Sequence, residues 1–333
     1  MQQARRVYAS PSGGPEACPD LVVVGAASRD LVDDDRRGWR LGGSVSYVSL
    51  AAARMGLRVG AVIGVDGPAS DAAELAVLEA AGVELCRVPL GHGPVFVNLE
   101  VDGHRRQRWY SESSPLPVAA LPPEWRAARG WLLGPVAGEL GPEWAGVAAP
   151  DARVTVGWQG LLRYFAPDGW VERVDPTPSP LLAAAGLGCA SLDDLQGAGA
   201  SLADLSRFAP AATMVLTAGE RGGLVRAEGR LFRYPAIAAE RVVDPTGAGD
   251  VFMAALTAAW LLGGEPATSR ALRFAAAAGS CAVEGRGLAG VPTSVEIAAR
   301  SERGRISTLS AEATPPGTPG MPPGATTPPP EIG

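Results

Sequence analysis

The chain is 333 residues long, 47% hydrophobic and 19% charged, with a formal net charge of −6 at pH 7. That mild acidity excludes the basic field that nucleic acid or an anionic membrane selects, and the length is enough to bury a large core. Every basic residue is arginine and none is lysine, so any side-chain cation facing a phosphate has to be a guanidinium.

Residues 1–19 carry Pro11, Gly13, Gly14 and Pro15 and no apolar h-region, which predicts a mobile leader and not a signal peptide. Short apolar runs then alternate with helical patterns. Leu21–Gly25 (LVVVG) reads as a buried strand, and Ser44–Met55 as a helix stopped by Gly56. Val59–Ile63 is a strand, Ser70–Ala81 a helix stopped by Gly82, and Val83–Val88 a strand. Pro94–Tyr110 breaks the alternation. Its period of two around Asp102-Gly103 predicts a hairpin with one wetter face, suited to a lid. Trp131–Leu133, Val154–Val156 and Thr213–Thr217 are further strands, and Gly247–Leu262 and Pro266–Val283 are helices. The sum is an α/β chain with a central, mostly parallel sheet, helices on both faces and a small β lid. From about residue 300 the sequence is rich in Pro, Gly, Thr and Ser, so residues 300–333 are expected to be a disordered tail.

No apolar run is long enough for a membrane span. Cys18, Cys86, Cys189 and Cys281 form no CxxC pair, so reduced thiols in a cytoplasmic protein are expected and a zinc site is not. Gly25-Ala26-Ala27-Ser28 lacks the spacing of a dinucleotide turn, and no GxxxxGK loop occurs. Asp33-Asp34-Asp35 reads as a solvated turn, because consecutive carboxylates point apart.

Val242–Phe252 (VVDPTGAGDVF) is the segment richest in chemistry. An apolar strand end gives way to small residues and then to an apolar helix. Small residues let backbone approach a ligand closely. The first N–H groups of a helix lack intrahelical partners and carry the positive end of its dipole, which makes a cradle for phosphoryl oxygens. Asp250 stands at that helix start, where a carboxylate can take a proton from a hydroxyl.

Asp244–Asp250 (DPTGAGD) resembles, almost residue for residue, the C-terminal signature of the ribokinase/PfkB family of carbohydrate kinases. Gly42–Gly56 (GGSVSYVSLAAARMG) is similar to that family's N-terminal signature. The resemblance implies a ribokinase-like kinase domain over residues 20–299, with its lid hairpin at about 94–111. It implies transfer of the γ-phosphate of ATP, with Mg²⁺, to a hydroxyl of a small sugar or polyol. Asp250 is then the general base, and Gly247, Ala248 and Gly249 supply amides to the transferred phosphoryl. Gly42 and Gly43 form the hinge and floor of the sugar site, and Asp30 binds substrate hydroxyls. Thr217, Gly219 and Gly222 match the nucleotide loop. Asp244 and Thr246 match positions that bind a monovalent cation, K⁺, in relatives.

Two positions depart from the family pattern. Tyr47 stands where Asn is usual, and Ser191-Leu192-Asp193-Asp194 replaces Asn-x-x-Glu, leaving Asp194 to order the water shell of Mg²⁺. The stretch between Asp30 and Gly42 is short, so the lid is expected to be little more than the hairpin. Gly42-Gly43-Ser44, that hairpin and Gln159–Arg163 (QGLLR) resemble a short-lid, inositol-kinase-like branch. There Gln159 and Arg163 face substrate or phosphates. A monomer or homodimer is expected. Two alternatives stay open: a nucleoside kinase with a base slot made by Phe96, Trp109 and Tyr110, and a sugar- or nucleotide-binding regulator without turnover.

Overall fold

The computed structural model describes residues 18–101, 104–195, 207–209 and 212–304. Nearly all of the expected leader, the Asp102-Gly103 turn and most of the expected tail lie outside the described residues. In chain order the strands are β1 (Leu21–Ala26), β2 (Arg29–Leu31), β3 (Trp39–Leu41), β4 (Val59–Val65), β5 (Val83–Pro89), β6 (Val95–Val101), β7 (His104–Ser111) and β8 (Gly130–Leu133). They continue with β9 (Arg153–Gly157), β10 (Arg163–Phe165), β11 (Val171–Arg173), β12 (Leu187–Ser191), β13 (Thr213–Thr217), β14 (Gly223–Ala227) and β15 (Arg230–Tyr234). The longer helices are α1 (Ser44–Arg54), α2 (Ala73–Ala80), α3 (Ala248–Leu261), α4 (Ser269–Ala282) and α5 (Ser294–Arg303).

Nine strands form one sheet in the order β15-β14-β13-β12-β9-β8-β1-β4-β5. Seven of them run parallel, and β14 and β15 add an antiparallel edge. β1 shows why its sequence is apolar throughout. Leu21 and Val23 join a core shared with Leu50, Ile63 and Leu256, whereas Val22 and Val24 join one built on Trp125, Trp131, Trp144 and Trp158. Successive side chains point to opposite faces, and here both faces are dry. Long helices cover the first face. The tryptophan face is closed by short turns, among them Pro123–Ala127 and Pro142–Gly146.

Two expectations need correction. The helix placed over Ser70–Ala81 begins at Ala73; Gly67–Ser70 is a separate turn, capped by Asp66 through the Ala69 amide at 3.0 Å. The lid is also larger than a hairpin. β2 pairs with β3 and, in parallel, with β6, giving a four-stranded sheet in the order β3-β2-β6-β7. Asp30 therefore lies inside β2 and not in a loop. Strands of three residues are too short to show a period, so the sequence conceals them.

Asp66 joins the lid to the main sheet. One of its carboxylate oxygens caps the Gly67–Ser70 turn and the other accepts from Arg29 Nη2 of β2 at 2.8 Å. Asp66→Ala removes a cap and one partner of a largely buried ion pair, so a loss of roughly 2–4 kcal/mol is expected. Urea unfolding checks this, and a loss below about 0.5 kcal/mol, the scale of an ordinary surface change, would mean the joint carries little.

Strand order locates the crevice. From β1 the sheet grows one way through β4 and β5 and the other way through β8, β9, β12 and β13. The switch falls between β1 and β8, and in open α/β sheets ligands bind beyond the carboxyl ends of strands at such a switch.

Candidate active site

The two glycine segments meet at this switch point. Gly43 has φ of 87°, and an added Cβ there would fall on the Ala26 carbonyl; one at Gly42 would fall on the Asp30 carboxylate. Only glycine lets the start of α1 come this close to the end of β1. Ser44, the first residue of α1, is thereby placed beside the start of α3, and its hydroxyl donates to Asp250 Oδ1 at 2.6 Å. Ser28 Oγ, beyond β1, donates to Asp30 Oδ1 at 2.8 Å. Asp250 and Asp30 thus come from distant segments to lie against the same Gly42–Ser44 turn.

The start of α3 is open. The Ala248 amide turns back to the Pro245 carbonyl at 3.3 Å, and among the described residues no acceptor is seen for the amides of Gly249 and Asp250. An added Cβ at Gly249 would meet nothing within 4 Å, so this turn faces empty space. Gly247 differs: its φ is 79°, and its added Cβ would fall on the ring of Tyr47. Tyr47 is buried, at 3% exposure. It therefore supports the turn from below.

Burial pushes the Asp250 carboxyl up from an ordinary 3.8 to about 6, against the Ser44 hydrogen bond and the Arg163 charge; Asp194 and Asp30 add to the rise. The group that would accept a proton is therefore basic enough to do so near neutrality. Arg163, in β10, is drawn down to about 10, first by burial and then by Arg173, while Asp194, Asp250 and Asp30 oppose the fall. All three acids thus act on one guanidinium.

The other expected residues are more scattered. Gln159 is exposed, in the turn after β9. Gly219 is exposed and Gly222 buried, beyond β13; an added Cβ at Gly222 would fall on the Tyr234 carbonyl, so this glycine closes the β13–β14 hairpin. Thr217 ends β13 and contacts the Ala190 carbonyl at 3.5 Å. Asp244 accepts from the amides of Thr246 at 2.9 Å and Gly287 at 3.2 Å. Asp194 accepts from Ser191 Oγ at 2.8 Å and lies 3.5 Å from Arg173 Nε. Among the described residues no cluster of three acids, histidines or cysteines is placed to hold a metal.

Sequence reasoning passed over Ser44 and Glu139. Ser44 lies within the quoted glycine motif, and its position just after the glycine pair was the available signal. Glu139 gave none. It is fully buried and accepts from the amides of Ala26 at 3.1 Å, Val136 at 3.0 Å and Ala137 at 2.8 Å. Burial drives its carboxyl upward while those amides hold it down. It ties the end of β1 to the loop after β8 across the switch point.

Residues 186–294 match the model of the pfkB family carbohydrate kinases. No curated protein matches the sequence. Among solved structures the chain is similar to a pyrophosphate-dependent kinase in the ribokinase family, complexed with a pyrophosphate analog and myo-inositol. The TM-score is 0.68 at 17% identity, covering 84% of this chain and 99% of the other. It is also similar to fructokinase with bound ATP from Xylella fastidiosa, with a TM-score of 0.67 at 18% identity, covering 85% and 98%. Burkholderia thailandensis nucleoside kinase in complex with inosine gives 0.63 at 18% identity, covering 85% and 97%. The fold is ribokinase-like.

Proposed function

We propose that this chain, ribokinase-like in fold and matching the pfkB family in its C-terminal part, transfers the γ-phosphate of ATP to a hydroxyl of a small sugar or polyol. The observation that carries the reading is the start of α3. A carboxylate near pKa 6 sits beside amides that have no acceptor among the described residues, at the switch point of a parallel sheet.

In this reading the acceptor hydroxyl lies between Asp30 and Asp250. Asp250 takes its proton as the new oxygen–phosphorus bond forms and the bond to the β-phosphate oxygen breaks. ADP leaves, and the proton passes from Asp250 to solvent. The amides of Gly249 and Asp250 offset charge developing on the phosphoryl oxygens. Ser44 orients the Asp250 carboxylate. Mg²⁺, when bound with ATP, would neutralise part of the phosphate charge. Asp194 is the acid of this chain nearest to that role, and Ser191 and Arg173 already engage it. The reaction would run in the cytoplasm.

Ionised Asp250 is the active form, so kcat/KM is expected to fall about tenfold per pH unit below 6 and to level off above it. A midpoint near 4 would mean that the rate reports a different, solvated group.

The decisive experiment follows ADP or phosphate release over myo-inositol, hexoses, pentoses and nucleosides, with ATP and with pyrophosphate as donors. The pyrophosphate arm answers the description of the myo-inositol-bound structure. Nucleosides are the poorer candidates on one observation. Phe96 is 2% exposed, and it and Trp109 pack on Phe165 at ring-centroid distances of 6.1 Å and 5.6 Å, so only Tyr110 of the expected base slot stays exposed. If no donor–acceptor pair exceeds background while a sugar still raises the melting temperature, the chain binds without turnover.

A further inference from the structure

We propose that Arg163 and Arg173 form a two-guanidinium clamp for the phosphoryl group under transfer, with Asp194 as the residue that positions it. The proposal rests on the phosphotransfer reading above and assigns the cation that reading lacks. β10 and β11 form a separate two-stranded sheet in which Arg163 and Arg173 are direct cross-strand partners. Like charges directly opposed on neighbouring strands are destabilising unless something negative lies between them.

Asp194, Asp250 and Asp30 supply negative charge to this pair, but few acceptors at hydrogen-bonding distance. Among the described residues, Nε of Arg163 and Nε of Arg173 are both buried without a hydrogen-bond partner. Arg163 hydrogen-bonds, among the described residues, only the Val136 carbonyl, from Nη1 at 3.5 Å. Asp194 lies 3.5 Å from Arg173 Nε, an ion pair too long for a good hydrogen bond, and its other oxygen is taken by Ser191. One buried N–H donor on each guanidinium, the Nε–H, is therefore unused. A buried donor without an acceptor costs about 1–3 kcal/mol, more when charged, and such groups in native folds call for an explanation.

A tetrahedral oxyanion explains them. Guanidinium forks match phosphate oxygens two at a time. Arg163 also feels Asp250 and Asp30, which places it near the expected base and the acceptor site. The ring of Phe96 lies 5.6 Å from its guanidinium carbon and limits its movement on the lid side. Asp194 then acts through Arg173. Buried at 3% exposure and fixed by Ser191, it aims the Arg173 guanidinium toward the ligand that Arg163 also holds.

The test titrates pyrophosphate by calorimetry into the wild type, Arg163→Met, Arg173→Met and Asp194→Asn, with melting curves alongside. Each arginine variant is expected to bind about tenfold or more weakly, the scale of a lost charge-assisted fork. With ATP and the best acceptor, kcat should fall about 100-fold while the acceptor KM moves less than about threefold. Asp194→Asn should weaken pyrophosphate binding in the wild type and add nothing to Arg173→Met, since it works through that residue. Unchanged pyrophosphate binding in both arginine variants overturns the clamp. So does a defect confined to the acceptor KM, which would give the arginines to an anionic group on the acceptor. If binding weakens as expected but the wild type turns over no acceptor, the clamp stands and the kinase reading falls. Should a Met variant melt too early to titrate, the Lys variant, which keeps the charge and loses the fork, is held to the same criterion.

Discussion

Asp250→Asn is expected to lower kcat by roughly 10²–10⁴-fold, the usual scale for a general base, and to make the folded protein more stable at pH 8. The second effect follows from the raised pKa. The folded state holds the Asp250 proton to about pH 6, the unfolded state only to about its ordinary 3.8. Stability is therefore lost as pH rises through this window and stays lower above it. The rise from 3.8 to about 6 is worth at most about 3 kcal/mol, and partial exposure reduces this to about 1–2 kcal/mol. Asn cannot ionise, and its amide oxygen still accepts from Ser44. The variant should melt higher than the wild type at pH 8 and equally at pH 4. Near-normal turnover removes Asp250 from the role of base. Equal melting at both pH values would show that its carboxylate is solvated. On the proposed role for Asp250, keeping its carboxylate partly dry holds function at the expense of stability.

Gly249→Val and Gly247→Ala are expected to fail in opposite ways, although the two glycines are two residues apart. Gly249 is helical, and its added side chain meets no protein atom. Valine there should change stability by no more than about 1 kcal/mol, since glycine is itself a poor helix former. It fills the space above the open amides, so kcat/KM for ATP should drop about 100-fold or more. Gly247 has φ of 79° and is backed by the ring of Tyr47. Alanine there meets both backbone strain and a clash, so a loss of roughly 2–4 kcal/mol is expected, with activity falling through unfolding. Thermal melting read with ATP kinetics separates the two. Normal ATP kinetics in Gly249→Val would place the phosphates elsewhere. A wild-type melting temperature in Gly247→Ala would mean that Tyr47 does not support the turn.

Tyr47 also shows where a motif misleads. The resemblance puts a sugar-contacting Asn there, and the sequence shows only that Tyr stands in its place. Burial under Gly247 gives this residue a packing role that no local pattern announces. Asp194 is similar. Read along the chain it occupies a metal-handling position; in the fold it is 3% exposed, fixed by Ser191 and turned toward Arg173.

The sequence by itself determined the parallel sheet, the small-residue helices and the helix opening at Ala248-Gly249-Asp250. Each of these is a local matter: apolar runs buried on both faces, small residues at close approaches, and an acid in a first helical turn all show within a few neighbouring positions. The strand end expected at Val242–Val243 is instead an exposed loop, because among the described residues nothing packs on those two valines to bury them. Only the tertiary structure decided that Ser44 reaches Asp250 across 206 positions and that Ala26 gives its amide to Glu139 across 113. It also decided that two arginines on short strands face one another. Those pairings depend on strand order and register, which arise from packing over the whole sheet and leave no period in the chain.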